Sequence, residues 1–326
     1  MEDRYQPKLV TVFGGSGFVG RHVVRALARR GYRIRVATRR PDLAFHLQPL
    51  GNVGQIAAVQ ANLRYRDSVD AAIAGSDHVV NCVGILFENG RNTFDSVQDF
   101  GARAIAEAAR AAGAGLTHIS AIGADVQSDS QYASSKGRAE QAILAILPDS
   151  VILRPSIIFG PEDSFFNRFA QMSRFVPALP LIGGGQTKLQ PVYVGDVAEM
   201  VARSVDGALK NGKTYELGGA QVLTFRQCME EMLKVIQRKR ALVSLPFGMA
   251  SFLGSIFSLV PFIEPPITAD QVESLKTDNI VSDAAISEGL TLEGEGIKPT
   301  TMETILPSYL VHFRPHGQYA GVGSSV

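Results

Sequence analysis

Short apolar runs alternate with longer stretches of helical period along the first half of the chain. "KLVTVFG" predicts a strand, and "VGRHVVRALARRG" a helix with Val19, Val23 and Leu27 on one face and Gly31 as its stop. "RIRVAT" predicts a second strand, "GQIAAVQAN" contains a third and "DHVVNCVGIL" a fourth, with the short helix "SVDAAIAG" between the last two. "FGARAIAEAARAAG" follows as a glycine-ended helix and "LTHISAIGA" as a fifth strand. "SSKGRAEQAILAIL" predicts a helix starting near Ala133, and "SVILRPSIIFG" a sixth strand. Strands joined by helices of this length run parallel and are covered on both faces. The pattern predicts an α/β fold with a doubly wound parallel sheet.

After Gly160 the alternation weakens. "GPEDSFFNRFAQMSRF" predicts a helix, and "LPLIGGGQTKLQPVYV" a loop leading to an extended piece. "GDVAEMVARSVDG" predicts a helix that Asp196 and Glu199 could open as a capping box. "KTYELGG" is expected as a last strand and "TFRQCMEEMLKVIQRK" as a helix. This divides the chain into a nucleotide-binding domain over residues 1–220, with part of 161–190 contributing to its cleft, and a smaller, mostly helical subdomain with a tail over 221–326. The tail "PHGQYAGVGSSV" is small and polar, and is expected to fray.

Gly14, Gly17 and Gly20 stand at G-x-x-G-x-x-G spacing between the first strand and the first helix. Such a turn lets a phosphate approach the backbone, and the free N–H groups of the helix start face the anion. Ser16, Phe18 and Val19 complete the loop that would touch it. The sheet is therefore read as Rossmann-type, holding a dinucleotide across its carboxyl ends. The second strand ends in "VATRRPD", so Thr38, Arg39 and Arg40 precede the first carboxylate, Asp42. A guanidinium would bind a 2′-phosphate that a carboxylate would repel, which favours NADPH (or NADP) over NAD, with Arg39 the nearer candidate. Asn62 could bond the adenine edge or simply end its strand. Val83 and Gly84, in "NCVG", would pass beneath the cofactor, and Cys82 reads as a small core residue.

"YASSK" places Tyr132 and Lys136 four residues apart at the start of a helix, on one side of it. In a hydride-transfer site Lys136 would bond the ribose and lower the tyrosine's pKa, Tyr132 would act as general acid or base, and Ser120 would be the third partner. The same pair can equally serve as a cofactor clamp without turnover.

Composition excludes several classes. The formal charge of +1 provides no field to attract nucleic acid. Two cysteines, Cys82 and Cys228, make no disulfide framework and suit a reducing compartment. The start "MEDRYQPKLV" resembles neither a signal nor a transit peptide. The histidines show no metal-ligand spacing. Residues 242–263, "LVSLPFGMASFLGSIFSLVPFI", carry no charge. Pro246 and Pro261 leave too short a run between them to cross a bilayer. Phe252, Ile256 and Leu259 keep helical spacing, with Phe247 and Leu253 nearby. The stretch is either a buried helix of the small subdomain or one that docks on a membrane interface or apolar partner. "VIQRKR", just before it, could meet anionic headgroups or an acidic partner.

The glycine loop, "YASSK" and "ILRPSIIFG" together resemble the short-chain dehydrogenase/reductase superfamily in its extended or atypical branch. "LRPSIIFGPEDSFFNRFAQMSRF", "GGGQTKLQPVYVGDVAEMV" and "PPITADQVESLKTDNIV" look more narrowly like the nucleotide-binding accessory subunit of respiratory complex I in its bacterial form. The likeness runs from about residue 8 to residue 282. It implies tightly held NADPH, no turnover, and a place on the peripheral arm near the membrane and the quinone region. The implied partners are other complex I subunits at the interface of peripheral and membrane arms, and the implied location is the cytoplasmic face of the bacterial inner membrane. The glycines would then hold the pyrophosphate, Arg39 the 2′-phosphate, and Tyr132 and Lys136 the nicotinamide ribose. Pro155 and Ser156 would turn their backbone to the nicotinamide amide. Because "YASSK" is intact, a free NADP(H)-dependent reductase, epimerase or dehydratase stays open, as does a sensor of the NADPH/NADP ratio.

Overall fold

The computed structural model describes residues 7–258 and 268–316, the side chains of 253–258 excepted. Strands β1 (Leu9–Phe13), β2 (Arg33–Thr38), β3 (Ile56–Gln60), β4 (His78–Asn81), β5 (Gly115–Ile119) and β6 (Val151–Pro155) occupy the expected runs. The "SVILRPSIIFG" run breaks after Pro155, and β7 (Ile158–Phe159) leaves the sheet. The segment expected as a loop contains β8 (Ala178–Ile182), a glycine turn, β9 (Lys188–Leu189) and β10 (Val192–Tyr193). It escapes the periodicity test because Pro180 and three glycines interrupt short strands whose partners lie elsewhere. Beyond it come β11 (Thr214–Leu217), β12 (Leu223–Thr224) and β13 (Ala241–Leu245).

Seven strands form one parallel sheet in the order β11-β6-β5-β4-β1-β2-β3. The order reverses between β1 and β4, which opens a crevice at their carboxyl ends. Alternate side chains of β1 serve opposite faces. Val10 and Val12 join helices α1 (Phe18–Arg29) and α6 (Val194–Val205) in one core layer. Phe13 joins α2 (Arg66–Ile73), α3 (Phe100–Ala112) and α4 (Gln131–Ile146) in the other. A third core gathers Phe159, Phe166 of α5 (Phe166–Phe175), Leu179, Phe225 of α7 (Phe225–Val235) and Leu306 of α11 (Met302–Leu310). The smaller body therefore draws on residues both before and after position 220. Helices α8 (Phe247–Ser258) and α9 (Ala269–Ser274) pack on its β8 side, whereas α10 (Asp283–Glu288) lies against β11 of the main sheet through Ser282 and Leu290.

Two helix starts differ from expectation. Helix α6 opens at Val194, and Asp196 makes no capping box: its carboxylate accepts from the Thr300 N–H at 2.7 Å and the Thr300 hydroxyl at 2.9 Å. Burial lifts the Asp196 pKa, and those Thr300 bonds pull it back. Among the described residues, capping boxes stand instead at Thr224 with Gln227 and Thr268 with Gln271. Helix α4 opens two residues ahead of Ala133, with the Ser130 hydroxyl accepting from the Ala133 N–H at 3.2 Å.

Residues 241–245 form a strand against β8, so the uncharged run is a strand followed by a helix. Positions 259–263 lie outside the described residues, as do 317–326 of the tail. Among the described residues no helix is long and apolar enough to cross a membrane.

The sheet also stores an acid sensitivity. His78 sits in β4 with its Nε2 2.8 Å from the Thr117 hydroxyl, and burial lowers its pKa to about 4. The unfolded chain protonates this ring near pH 6.5 while the fold keeps it neutral to about pH 4. Between those values the unfolded state binds more protons, so stability falls as pH falls, by on the order of 2–3 kcal/mol. Urea midpoints measured from pH 7 to pH 4.5 will show this loss, and His78→Gln will remove its share, leaving that of buried His118, whose pKa burial also holds well below the usual value.

Candidate functional site

The glycine loop lies at the crevice, over the end of β1. Gly14 adopts φ +74, a left-handed conformation, and a Cβ there would meet the Cys82 carbonyl at 3.1 Å. Its carbonyl accepts the Gly17 N–H at 3.0 Å, which closes the turn. Gly20, in the first turn of α1, backs onto that same carbonyl: a Cβ would lie 2.1 Å from the Gly14 oxygen. Gly17 is the N-cap of α1, no side chain caps it, and no acidic residue stands in the first turn. The N–H groups of Phe18 and Val19 therefore end the helix without an intrahelical acceptor, in the field of its positive pole. This cradle fits a diphosphate.

At the end of β2 the two arginines part company. Arg40 forks onto Asp42 through Nε and Nη2, the latter at 2.7 Å, which holds the Asp42 carboxyl below its usual range. Among the described residues Arg39 meets only a neutral amide, Asn92 Oδ1 at 3.3 Å, on the loop following β4. No carboxylate among the described residues pairs with it. The Ser16 and Thr38 hydroxyls stand 3.4 Å apart beside it. Asn62 spends its Oδ1 on the Arg64 N–H at 3.2 Å, and the Val83 N–H donates to Asn81 Oδ1 at 3.0 Å.

Lys136 is buried across the crevice, its Nζ donating to the Ile119 carbonyl at 3.0 Å and passing close to Gly84. Burial lowers the ammonium's pKa to about 8, against the pull of Glu140. Glu140, one turn along α4, is held by Arg154 of the "LRPS" run at 2.9 Å. Tyr132 is half-buried, edge-on to Phe94. Its phenol is pushed up to about 12, first by burial and then by Asp270. The expected lowering by Lys136 is not seen: burial and the Asp270 carboxylate both act to raise the phenol. Ser120 is buried and its hydroxyl has no partner among the described residues, as does His118 Nε2. Cys82 stays a thiol, its pKa raised to about 12 by burial.

Pro155 and Ser156 reach the crevice with their backbone groups engaged. The Pro155 carbonyl accepts from the Ile122 N–H at 3.0 Å, and the Ser156 N–H donates to Leu217 at 2.9 Å. The Ser156 hydroxyl donates to Asn279 Oδ1 at 2.6 Å. Asn92, Asp270 and Asn279 thus belong to the site although no local pattern marks them. Only the "TADQVESLKTDNIV" stretch hinted at the last two. Among the described residues no cluster of His, Cys, Asp or Glu could hold a metal ion.

A glycine-cradled helix start at the switch point of a seven-stranded parallel sheet defines a Rossmann-class nucleotide-binding protein. The sequence pattern of the NAD dependent epimerase/dehydratase family matches residues 10–218, and the chain belongs to that family. Its homologues include complex I subunits. It is 35% identical to NADH dehydrogenase (ubiquinone) 1 alpha subcomplex subunit 9 of Arabidopsis thaliana, over 96% of this chain and 80% of that protein. The 40 kDa subunit of NADH-ubiquinone oxidoreductase from Neurospora crassa is 27% identical, over 95% and 80%. A ceramide reductase of Caulobacter vibrioides is 34% identical over 58% of each chain. Among solved structures, an NADPH-dependent quinone oxidoreductase from Escherichia coli superposes with a TM-score of 0.69 at 21% identity, covering 93% of this chain and 99% of that one. That likeness concerns the fold.

Proposed function

We propose that this chain is an accessory subunit of a bacterial respiratory complex I that holds NADPH as a structural ligand and does not turn it over. The observation that carries the reading is the likeness to complex I subunits across nearly the whole chain, joined to a nucleotide crevice with a free guanidinium at its ribose end. Gly14, Gly17 and Gly20 with Ser16, Phe18 and Val19 would hold the diphosphate, and Arg39 the 2′-phosphate. Lys136 and Tyr132 would hold the nicotinamide ribose, with Ser120 offering its unpartnered hydroxyl. When bound, the nicotinamide would supply hydride chemistry. A phenol held protonated to about pH 12 suits a hydrogen-bond donor to the ligand better than a base that takes protons near neutrality.

Residues 242–263 would contact lipid or a neighbouring subunit on the cytoplasmic face of the inner membrane. Met249 and Phe252 stand exposed on uncharged α8, which supports this. The test is to isolate the chain from gently solubilised membranes, identify its companions, and identify the nucleotide released on denaturation. Complex I subunits and about one NADP(H) per chain are expected. A chain free of those subunits, or one carrying NAD, overturns the reading.

The intact Tyr132–Lys136 pair and the ceramide reductase likeness favour a second reading, a free NADP(H)-dependent reductase or epimerase. Tyr132→Phe separates the two. A scaffold will assemble normally with the variant, whereas an enzyme will lose about a hundredfold or more in turnover.

A further inference from the structure

The apolar helix α8 and the crevice are joined by α9, and the joint is made of specific contacts. On one side of α9, Val272 is fully buried with Ala250 of α8 and Ile182 of β8. On the other, Asp270 caps the first turn of α4. Its Oδ1 accepts from the Gln131 N–H at 2.6 Å, and its Oδ2 accepts from the Tyr132 N–H at 3.2 Å and the Ser130 hydroxyl at 3.0 Å. The Ser274 hydroxyl lies 3.1 Å from that of Ser130, which is itself buried. Asp270 is thus the acceptor at the positive pole of the helix that carries Tyr132 and Lys136. A few residues on, Asn279 bridges the strand ends: its Nδ2 donates to the Ile122 carbonyl at 3.2 Å while its Oδ1 holds Ser156. Residues 268–279 therefore form a strap pinned at one end to the start of α4 and at the other to the segments that follow β5 and β6, and packed on the apolar helix.

We propose that Asp270 is a positioning residue of the nucleotide site, through which the bound nucleotide and the α8–α9 strap sense each other. The inference rests on the nucleotide reading above and goes further, since it assigns a role to a side chain outside the glycine loop and the "YASSK" stretch. A ligand that fixes Tyr132 stabilises the first turn of α4, and that turn holds Asp270. By reciprocity, a strap tightened against a partner favours the ligand.

The experiment uses the full chain, with NADPH affinity read by fluorescence and amide hydrogen exchange followed with and without saturating NADPH. In the wild type, NADPH will slow exchange across 268–279 and in the 247–252 stretch of α8 by about fivefold or more. Asp270→Ala will bind NADPH about fivefold more weakly, the scale of a lost helix cap, and its strap exchange will no longer respond to nucleotide. Ser282→Ala removes the equivalent cap from α10 and will leave both readouts at wild-type values. Tight NADPH binding with unchanged exchange at 268–279 overturns the coupling while leaving the nucleotide reading intact. Asp270→Ala binding as tightly as the wild type also overturns the coupling. A wild-type chain that binds no NADPH removes the reading and the coupling together.

Discussion

Replacing Gly20 with alanine will abolish tight nucleotide binding and destabilise the fold by about 3 kcal/mol. The added methyl would sit 2.1 Å from the Gly14 oxygen and 2.6 Å from the Gly15 Cα, both backbone atoms. No rotamer relieves such a clash, so either α1 or the loop must move by about an ångström. Because that loop and the first N–H groups of α1 together form the cradle, displacement separates them. Thermal unfolding and NADPH titration check the two halves of this result. Gly17→Ala is the control: its Cβ meets only the Gly14 oxygen, at 3.3 Å, and the variant will unfold near wild type. A Gly20→Ala protein that retains full affinity would show that the loop tolerates displacement and that the anion is held elsewhere.

Lys136→Met will move stability and binding in opposite directions. The lysine is almost fully buried and its ammonium titrates near pH 8 instead of near 10.5. Keeping it charged at neutral pH costs about 3 kcal/mol. The sign follows from proton counting: the unfolded chain binds the proton more strongly, so stability contributed by this site rises as pH climbs from 8 to 10.5. Methionine fills similar volume without a charge. It forfeits the bond to the Ile119 carbonyl, worth about 1 kcal/mol. The variant is therefore expected to gain about 2 kcal/mol at pH 7 by urea unfolding, and its stability will lose the rise between pH 8 and pH 10. Its NADPH affinity is expected to fall by tenfold or more if Lys136 holds the ribose as proposed, because a charge-assisted bond would go. A buried cation retained at such a cost points to a ligand that uses it. Should the variant lose stability instead, Lys136 is a structural strut, and its assignment to the ribose fails.

The glycine loop, the strand endings and the "YASSK" pair were readable because each is short-range. Spacing of three or four residues carries their geometry. The Tyr132–Asp270 contact spans 138 positions and the Ser156–Asn279 contact 123, so no local period announces either. Asp196 illustrates the same limit from the other direction. Its sequence setting suggests a cap, but Thr300, 104 positions away, claims both carboxylate oxygens. The segment with β8, β9 and β10 was hidden because its strands are short and pair with β13, β12 and β7.

Hydrophobic alternation by itself determined the doubly wound sheet, and three glycines with an arginine after the second strand marked where an anionic nucleotide is proposed to fit. Those features follow from backbone sterics and side-chain periodicity, which act between near neighbours. Only the tertiary structure decided that Arg40 is neutralised and Arg39 is not, that Tyr132 is held protonated, and that an apolar helix is bracketed to the crevice through Asp270. Burial sets those charges and contacts, and burial depends on which distant segments the folded chain brings together.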